Sequence, residues 1–204
     1  MKREGILYII SAPSGAGKTT LCREVVDIFS DIRHSISFTT RPIRPGEVHG
    51  RDYFFIPREE FRRMATSGEF AEWAEVHGNL YGTALRTLEE ARQAGVDLIL
   101  DIDCQGAQQL KQKFQGGVFI FILPPSFTEL RRRLDCRNAD SPEVIQRRIE
   151  NAAREIREAH WYDFVIVNDV FSRAVEELKS VIVAERCRTS RLREDIAGNF
   201  GTED

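Results

Sequence analysis

Residues 6–20 read ILYIISAPSGAGKTT, and no other stretch of the chain restricts its fold as tightly. Five apolar residues, Ile6 to Ile10, suit a strand buried on both faces. A short loop with Gly15 and Gly17 follows, and then Lys18 and Thr19 open a segment of helical character. Strand, glycine loop and helix in this order are a phosphate-binding unit, the P-loop pattern G-x-x-x-x-G-K-[ST]. Glycine lets backbone N–H groups turn inward around phosphate oxygens with no Cβ in the way. The helix N-terminus adds its positive end. Lys18 is placed to reach the outer phosphates of a nucleoside triphosphate, and the Thr19 hydroxyl to ligate Mg²⁺. The candidate cradle is Ala12, Pro13, Ser14, Gly15, Ala16, Gly17, Lys18, Thr19 and Thr20, with Ala12 where the pattern has its first glycine.

The rest of the chain alternates in the same style. Apolar strands are expected over residues 5–11, 97–101, 118–123 and 163–167. Helices are expected over 18–29, 105–113, 127–134, 142–158 and 172–185. Such alternation predicts an α/β fold with a parallel sheet covered by helices on both faces. Two regions break the rhythm. Residues 36–90 carry short β-like pieces, a short helix and turn signals, and are expected to form an inserted lobe. Residues 128–158 are rich in arginine and lack a strand, as a helical flap would. The core is then 1–35, 91–127 and 159–190 of a single domain, and the polar tail at 191–204 is expected to fray.

Bulk properties exclude several classes. The chain has 204 residues, and 42% of them are hydrophobic, enough for a sizeable core. The net charge of -3 argues against a general nucleic-acid binder, which would be basic. No apolar run reaches the roughly 20 residues needed to span a bilayer. Cys22, Cys104, Cys136 and Cys187 are scattered, with no C-x-x-C pair, and no secretory leader stands at the N-terminus. A cytoplasmic protein with reduced thiols is expected.

Two further stretches carry chemistry. In LILDIDCQG, Asp101 ends an apolar strand and Asp103 lies just beyond. Strand carboxyl ends are where open α/β sheets bind ligands, so Asp101 is a candidate to hold Mg²⁺ through water. In SISFTTRPIRPGEVHGRDYFFI, the hydroxyls of Ser35, Ser37, Thr39 and Thr40 precede Arg41 and Arg44, and Tyr53 follows. Hydroxyls and guanidinium forks suit a phosphate dianion, although the same residues also suit a solvated polar loop.

Taken together, the pattern Thr-Thr-Arg-x-x-Arg-x-x-Glu-x-x-Gly-x-x-Tyr-x-Phe resembles that of guanylate kinases. EFAEWAEVHGNLYGT, LDIDCQG, FVIVND and the phosphate loop are similar to the same family in the same order, over about residues 5–186. The resemblance implies a P-loop NTPase core, an inserted mixed α/β GMP-binding lobe at 36–90 and a helical lid at 128–158. It implies transfer of the γ-phosphoryl group of Mg·ATP to GMP, and to dGMP, giving ADP and GDP. By motif, the GMP phosphate meets Arg41, Arg44, Tyr53 and Tyr81, and guanine meets Ser37, Glu72, Thr83 and Asp103. The lid arginines Arg137 and Arg148 swing onto the phosphates with Lys18 and Arg44, Arg133 helps with the triphosphate, and Asn168 and Asp169 border the adenine.

Chemistry supports the base assignment separately. Guanine presents a ring N–H beside an exocyclic amine, and one carboxylate such as Glu72 accepts from both. Two departures from the family pattern are Asn138, where glycine is common, and Val170, where aspartate is usual. A non-catalytic module of the same fold would lack the intact loop, and a kinase for another nucleoside monophosphate would lack the Glu72 and Thr83 pairing. Whether the chain is a monomer or a homo-oligomer is not encoded in these motifs.

Overall fold

The structure is a computed structural model that describes residues 4–76, 78–114, 116–136 and 141–201. The first strand, β1 (Leu7–Ser11), is buried along its whole length. It runs into the glycine loop and then α1 (Lys18–Ile28), which starts directly after Gly17. The chain continues through β2 (Ile32–His34), β3 (Phe38–Thr39), β4 (Phe54–Phe55), α2 (Arg58–Thr66), β5 (Phe70–Val76), β6 (Asn79–Ala84) and α3 (Leu85–Gln93). Then come β7 (Asp97–Asp101), α4 (Cys104–Lys113), β8 (Val118–Leu123), α5 (Phe127–Asp135) and α6 (Pro142–Arg157). A 3-10 turn at Glu158–Trp161 leads to β9 (Phe164–Val167), α7 (Phe171–Arg186) and α8 (Thr189–Phe200).

Two sheets result. The larger has the order β2-β7-β1-β8-β9, and all its pairs are parallel. The expected parallel sheet flanked by helices is therefore present. With β1 in its centre, β1 ends beside β7: Ile10 pairs with Asp101. That register brings the phosphate loop and the acids after β7 to the same edge, as parallel strands require. One apolar layer packs Tyr8, Leu21, Val25, Leu178 and Ile182 on one face. The other packs Leu88, Leu110, Phe119 and Phe121 on the opposite face.

The smaller sheet has the order β4-β3-β6-β5 and is mixed, with β5 and β6 antiparallel. Phe38, Phe61, Phe70 and Leu80 give it a core of its own. A third small cluster, Leu130, Leu134, Ile145 and Ala152, joins α5 to α6. Among the described residues no helix is long and apolar enough to cross a membrane.

One expectation is overturned. Residues 189–200 do not fray but form α8. Leu192, Ile196 and Phe200 repeat at helical spacing within the polar stretch, a row that composition alone hides, although Ile196 and Phe200 stay exposed. Arg191 ties the helix down by donating to the Gly116 carbonyl at 3.1 Å and facing the Glu185 carboxylate at 3.4 Å. Gly201, in the left-handed conformation at φ 65°, ends it.

The sheet is pinned across its ends by Asp97. This carboxylate is fully buried, accepts from the Ile6 N–H at 2.9 Å and pairs with Arg186 at 2.7 Å. Arg186 reaches on to Asp31 at 2.9 Å. Removing one member of a buried pair strands the other. We expect Asp97→Ala to lower unfolding free energy by about 3 kcal/mol in urea titration. A loss under about 1 kcal/mol would show that the pair is not structural.

Candidate functional site

The phosphate loop has the geometry its residues imply. Gly15 and Gly17 sit at φ 94° and 91°, where side chains are strained. Gly17 also leaves room for Asn168, because a Cβ there would lie 2.4 Å from Asn168 Nδ2. Asn168 spends that nitrogen on the loop itself, donating to the Ala16 carbonyl at 2.7 Å. Its own carbonyl accepts from Arg133 at 2.9 Å. Pro13 accepts from the Ala16 N–H at 3.1 Å, which closes the turn. Ser14 and Thr20 are exposed, Ala12 is half-buried, and Asp169 is exposed beyond β9.

Lys18 lies against the acid of β7. Its Nζ is 2.6 Å from Asp101 Oδ1 and donates to the Ile102 carbonyl at 2.7 Å. Burial works against the ammonium charge, but Asp101 outweighs it, so Lys18 titrates above the ordinary lysine value. Burial likewise disfavours the Asp101 carboxylate, and Lys18 outweighs that, holding Asp101 below its ordinary value. Thr19 donates to the other oxygen, Asp101 Oδ2, at 2.9 Å. A hydroxyl and a carboxylate side by side are hard oxygen donors, the set Mg²⁺ takes.

A cavity of about 230 Å³ opens in front of these groups. Lys18, Thr19, Asp101 and Asp103 line it from the large sheet, and Ser37, Tyr53, Glu72 and Tyr81 from the small one. Eight residues singled out in the sequence thus share one cleft. Thr83 stands just behind, fully buried, opposite Glu72 in the β5–β6 ladder. Ser37 and Thr83 hydroxyls are 3.4 Å apart. Asp103 accepts the Gly106 N–H at 2.9 Å, capping α4.

Glu72 is 3% exposed. Burial pushes its carboxyl up to about 7, Thr83 hydrogen bonds pull it partly back, and Asp103 pushes it up again. The sign for stability follows. From about 4.5 to about 7 the unfolded chain ionises while the folded chain keeps its proton, so stability falls as pH rises across that window. The loss is about 3 kcal/mol. An isolated structural acid would gain nothing by this cost, and a carboxylate awaiting two N–H donors would.

The structure also identifies residues that the sequence motifs leave without a role. A bulge between Phe70 and Glu72 shifts the strand register just before Glu72 within β5. Helix α4 holds the strand on either side of it: Lys113 donates to the Ala71 carbonyl at 3.1 Å, and Gln109 to the Trp73 carbonyl at 2.7 Å. Gly106 provides the space, because a Cβ there would stand 2.3 Å from Glu72 Oε2. Gly106 of the CQG stretch was visible in the sequence, but the carboxylate it makes room for lies on another element.

Glu47 is a further such residue. It takes Arg41 in a two-pronged contact at 2.7 and 3.1 Å and accepts the Arg44 N–H at 2.8 Å. Arg41 lies buried over the Tyr53 ring, 5.5 Å from its centre. Neither Arg41 nor Arg44 forms a wall of the cavity, and Arg44 is exposed. Arg148 is half-buried on α6, also outside the cavity walls. Arg137 and Asn138 lie outside the described residues.

The guanylate kinase family model matches residues 4–185, which span both sheets and α5–α7. The chain belongs to the guanylate kinase family. It is 69% identical over 203 residues to the guanylate kinase of Geobacter sulfurreducens, covering 100% of both chains. It is 70% identical over 200 residues to that of Geobacter metallireducens, covering 98% of each. The crystal structure of guanylate kinase from Anaplasma phagocytophilum superposes with a TM-score of 0.81 at 36% identity, over 100% of this chain and 99% of that one.

We expect Gly106→Ala to raise the KM for the acceptor nucleotide at least ~10-fold, because the added methyl displaces the Glu72 carboxylate. Binding of the donor triphosphate, measured by calorimetry, should stay within about 2-fold. Equal weakening of both would show a general loss of fold instead.

Proposed function

We propose that this chain is an ATP:GMP phosphotransferase, a guanylate kinase that uses Mg·ATP and forms ADP and GDP. The observation that carries the reading is the single cavity lined by Lys18, Thr19 and Asp101 on one wall and Glu72, Ser37, Tyr53 and Tyr81 on the other. A triphosphate on the loop and a monophosphate whose base lies on Glu72 then face each other across it. Family membership and full-length similarity to guanylate kinases support the same reaction.

Guanine donates its ring N–H and amine to the two Glu72 oxygens, and the Ser37 and Thr83 hydroxyls serve its carbonyl. Asp103 supplies a further acceptor beside Glu72. Adenine would turn a ring acceptor toward Glu72, and such sites reject the analogue strongly. Base and phosphate carry the recognition, so dGMP serves as a second acceptor. Tyr53, Tyr81, Arg41 and Arg44 take the GMP phosphate. For Arg41 this means exchanging the Glu47 carboxylate for phosphate, with Glu47 holding the guanidinium in place until then.

Phosphoryl transfer asks mainly for positioning and charge neutralisation. A phosphate oxygen of GMP attacks the γ-phosphorus of ATP and ADP departs, so no general base is required. Lys18 leaves Asp101 for the outer phosphates as these enter. Thr19 and Asp101 would hold Mg²⁺, which would supply positive charge to offset that of the phosphates. Arg137 and Arg148 close from the lid, add positive charge and help exclude water. Asn168 keeps the loop shaped from below and, with Asp169, borders the adenine. The free thiols of Cys22, Cys104, Cys136 and Cys187 fit a reducing cytoplasm. The intact loop speaks against a non-catalytic module.

The test is ADP formation from Mg·ATP with GMP, dGMP, AMP, UMP and CMP offered one at a time. Turnover is expected with GMP and dGMP alone. Glu72→Gln should cut kcat/KM for GMP by ~10²-fold or more while ATP binding holds. Brisk turnover with AMP, or equal loss of both nucleotides in the variant, would contradict the assignment.

A further inference from the structure

Cys22 on α1, His34 at the end of β2 and Asp101 at the end of β7 converge beside the phosphate loop. The thiol sulfur, an imidazole nitrogen and a carboxylate oxygen all lie within 4.8 Å of one another. The nucleotide reaction uses neither Cys22 nor His34. Cys22 is fully buried. His34 Nε2 is also buried and has no hydrogen-bond partner, an uncommon state for a ring nitrogen inside a protein. A second cavity, of about 440 Å³, is lined by His34, Thr19 and Asp101, so two of the three residues border open space while Cys22 stands behind them.

We propose that Cys22, His34 and Asp101 form a binding site for Zn²⁺, separate from the magnesium position but sharing Asp101 with it. Thiolate, imidazole and carboxylate are a borderline-soft donor set that suits zinc and not magnesium. Ligand atoms around a tetrahedral zinc stand about 3.3–3.8 Å apart, from bond lengths of about 2.0–2.3 Å. The present separations, within 4.8 Å, have to shorten by about 1 Å at most, and His34 Nε2 has no hydrogen bond to break as they do. Charge also balances: one thiolate and one carboxylate neutralise Zn²⁺, and the thiol proton leaves to solvent as the Zn–S bond forms. Water takes the fourth position. Lys18 holds Asp101 Oδ1 and Thr19 donates to Oδ2 in this structure, so zinc competes with both and binds best when Lys18 has turned away. Zinc bound here withdraws Asp101 from magnesium and so inhibits phosphoryl transfer. Only this consequence, and not the site itself, rests on the function proposed above.

The probes are Cd²⁺, read by its thiolate charge-transfer absorbance, and Zn²⁺, read by inhibition of GMP phosphorylation at buffered free metal. Full-length protein with Cys136→Ser and Cys187→Ser removes the two exposed thiols from the signal. We expect one equivalent of Cd²⁺ with thiolate absorbance. Cys22→Ala should abolish that absorbance, and His34→Gln should weaken binding at least tenfold. His34→Gln, at a partly exposed position, keeps the test alive if Cys22→Ala fails to fold. Zinc should inhibit reversibly, and His34→Gln should raise the half-inhibitory concentration at least tenfold. Absence of the thiolate band, or equal affinity in His34→Gln, overturns the site. Binding that needs Cys22 and His34 but leaves turnover untouched supports the site, and counts instead against the service of Asp101 to magnesium.

Discussion

The contact between Lys18 and Asp101 is the point on which the molecule turns. It joins the loop after β1 to the end of β7 at 2.6 Å. It exists because parallel neighbours must finish on the same edge of the sheet. Everything functional is arranged around that edge: Thr19 on the other Asp101 oxygen, Asp103 capping α4, and the small sheet facing across the cleft. The buried pair keeps lysine and aspartate charged in a site that desolvation would otherwise neutralise. The pair is thus a stored arrangement of charge, which in the proposed reaction incoming phosphates and magnesium would take over.

The proposed recognition of the acceptor depends on a different balance. Glu72 is held in the interior at a cost in stability, between α4, which clamps Ala71 and Trp73, and Thr83, which shares its load. That arrangement spends folding energy on a carboxylate placed where only a paired donor satisfies it. Gly106 shows how little slack remains, since one methyl group would meet Glu72 Oε2. Glu47 likewise keeps the Arg41 guanidinium oriented over Tyr53, as the proposed phosphate site requires.

Much of this was legible in the sequence because it is local. Strand, glycine loop and helix are contiguous, so the phosphate cradle could be read from residues 6–20. The alternation of apolar runs with helices gave the parallel sheet. Residues such as Ser37, Tyr53, Glu72 and Tyr81 were legible only through their motif spacing, and the structure brings them to one cavity. What stayed hidden depends on distant partners. Asn168 lies against Ala16 across the sheet, Gly106 accommodates a side chain from β5, and Glu47 has meaning only beside Arg41. The helix at 189–200 was missed because a polar composition masked its three-residue apolar row. Cys22 and His34 looked isolated because α1 and β2 bring them together only in three dimensions.

The most direct test is to follow the Glu72 carboxyl itself by carbon NMR, in protein labelled at glutamate and assigned with Glu72→Gln. Without nucleotide its midpoint should lie at about pH 7. With saturating GMP the resonance should stay ionised well below that, because the carboxylate then accepts two hydrogen bonds. A midpoint unmoved by GMP would contradict the account that Glu72 reads the guanine.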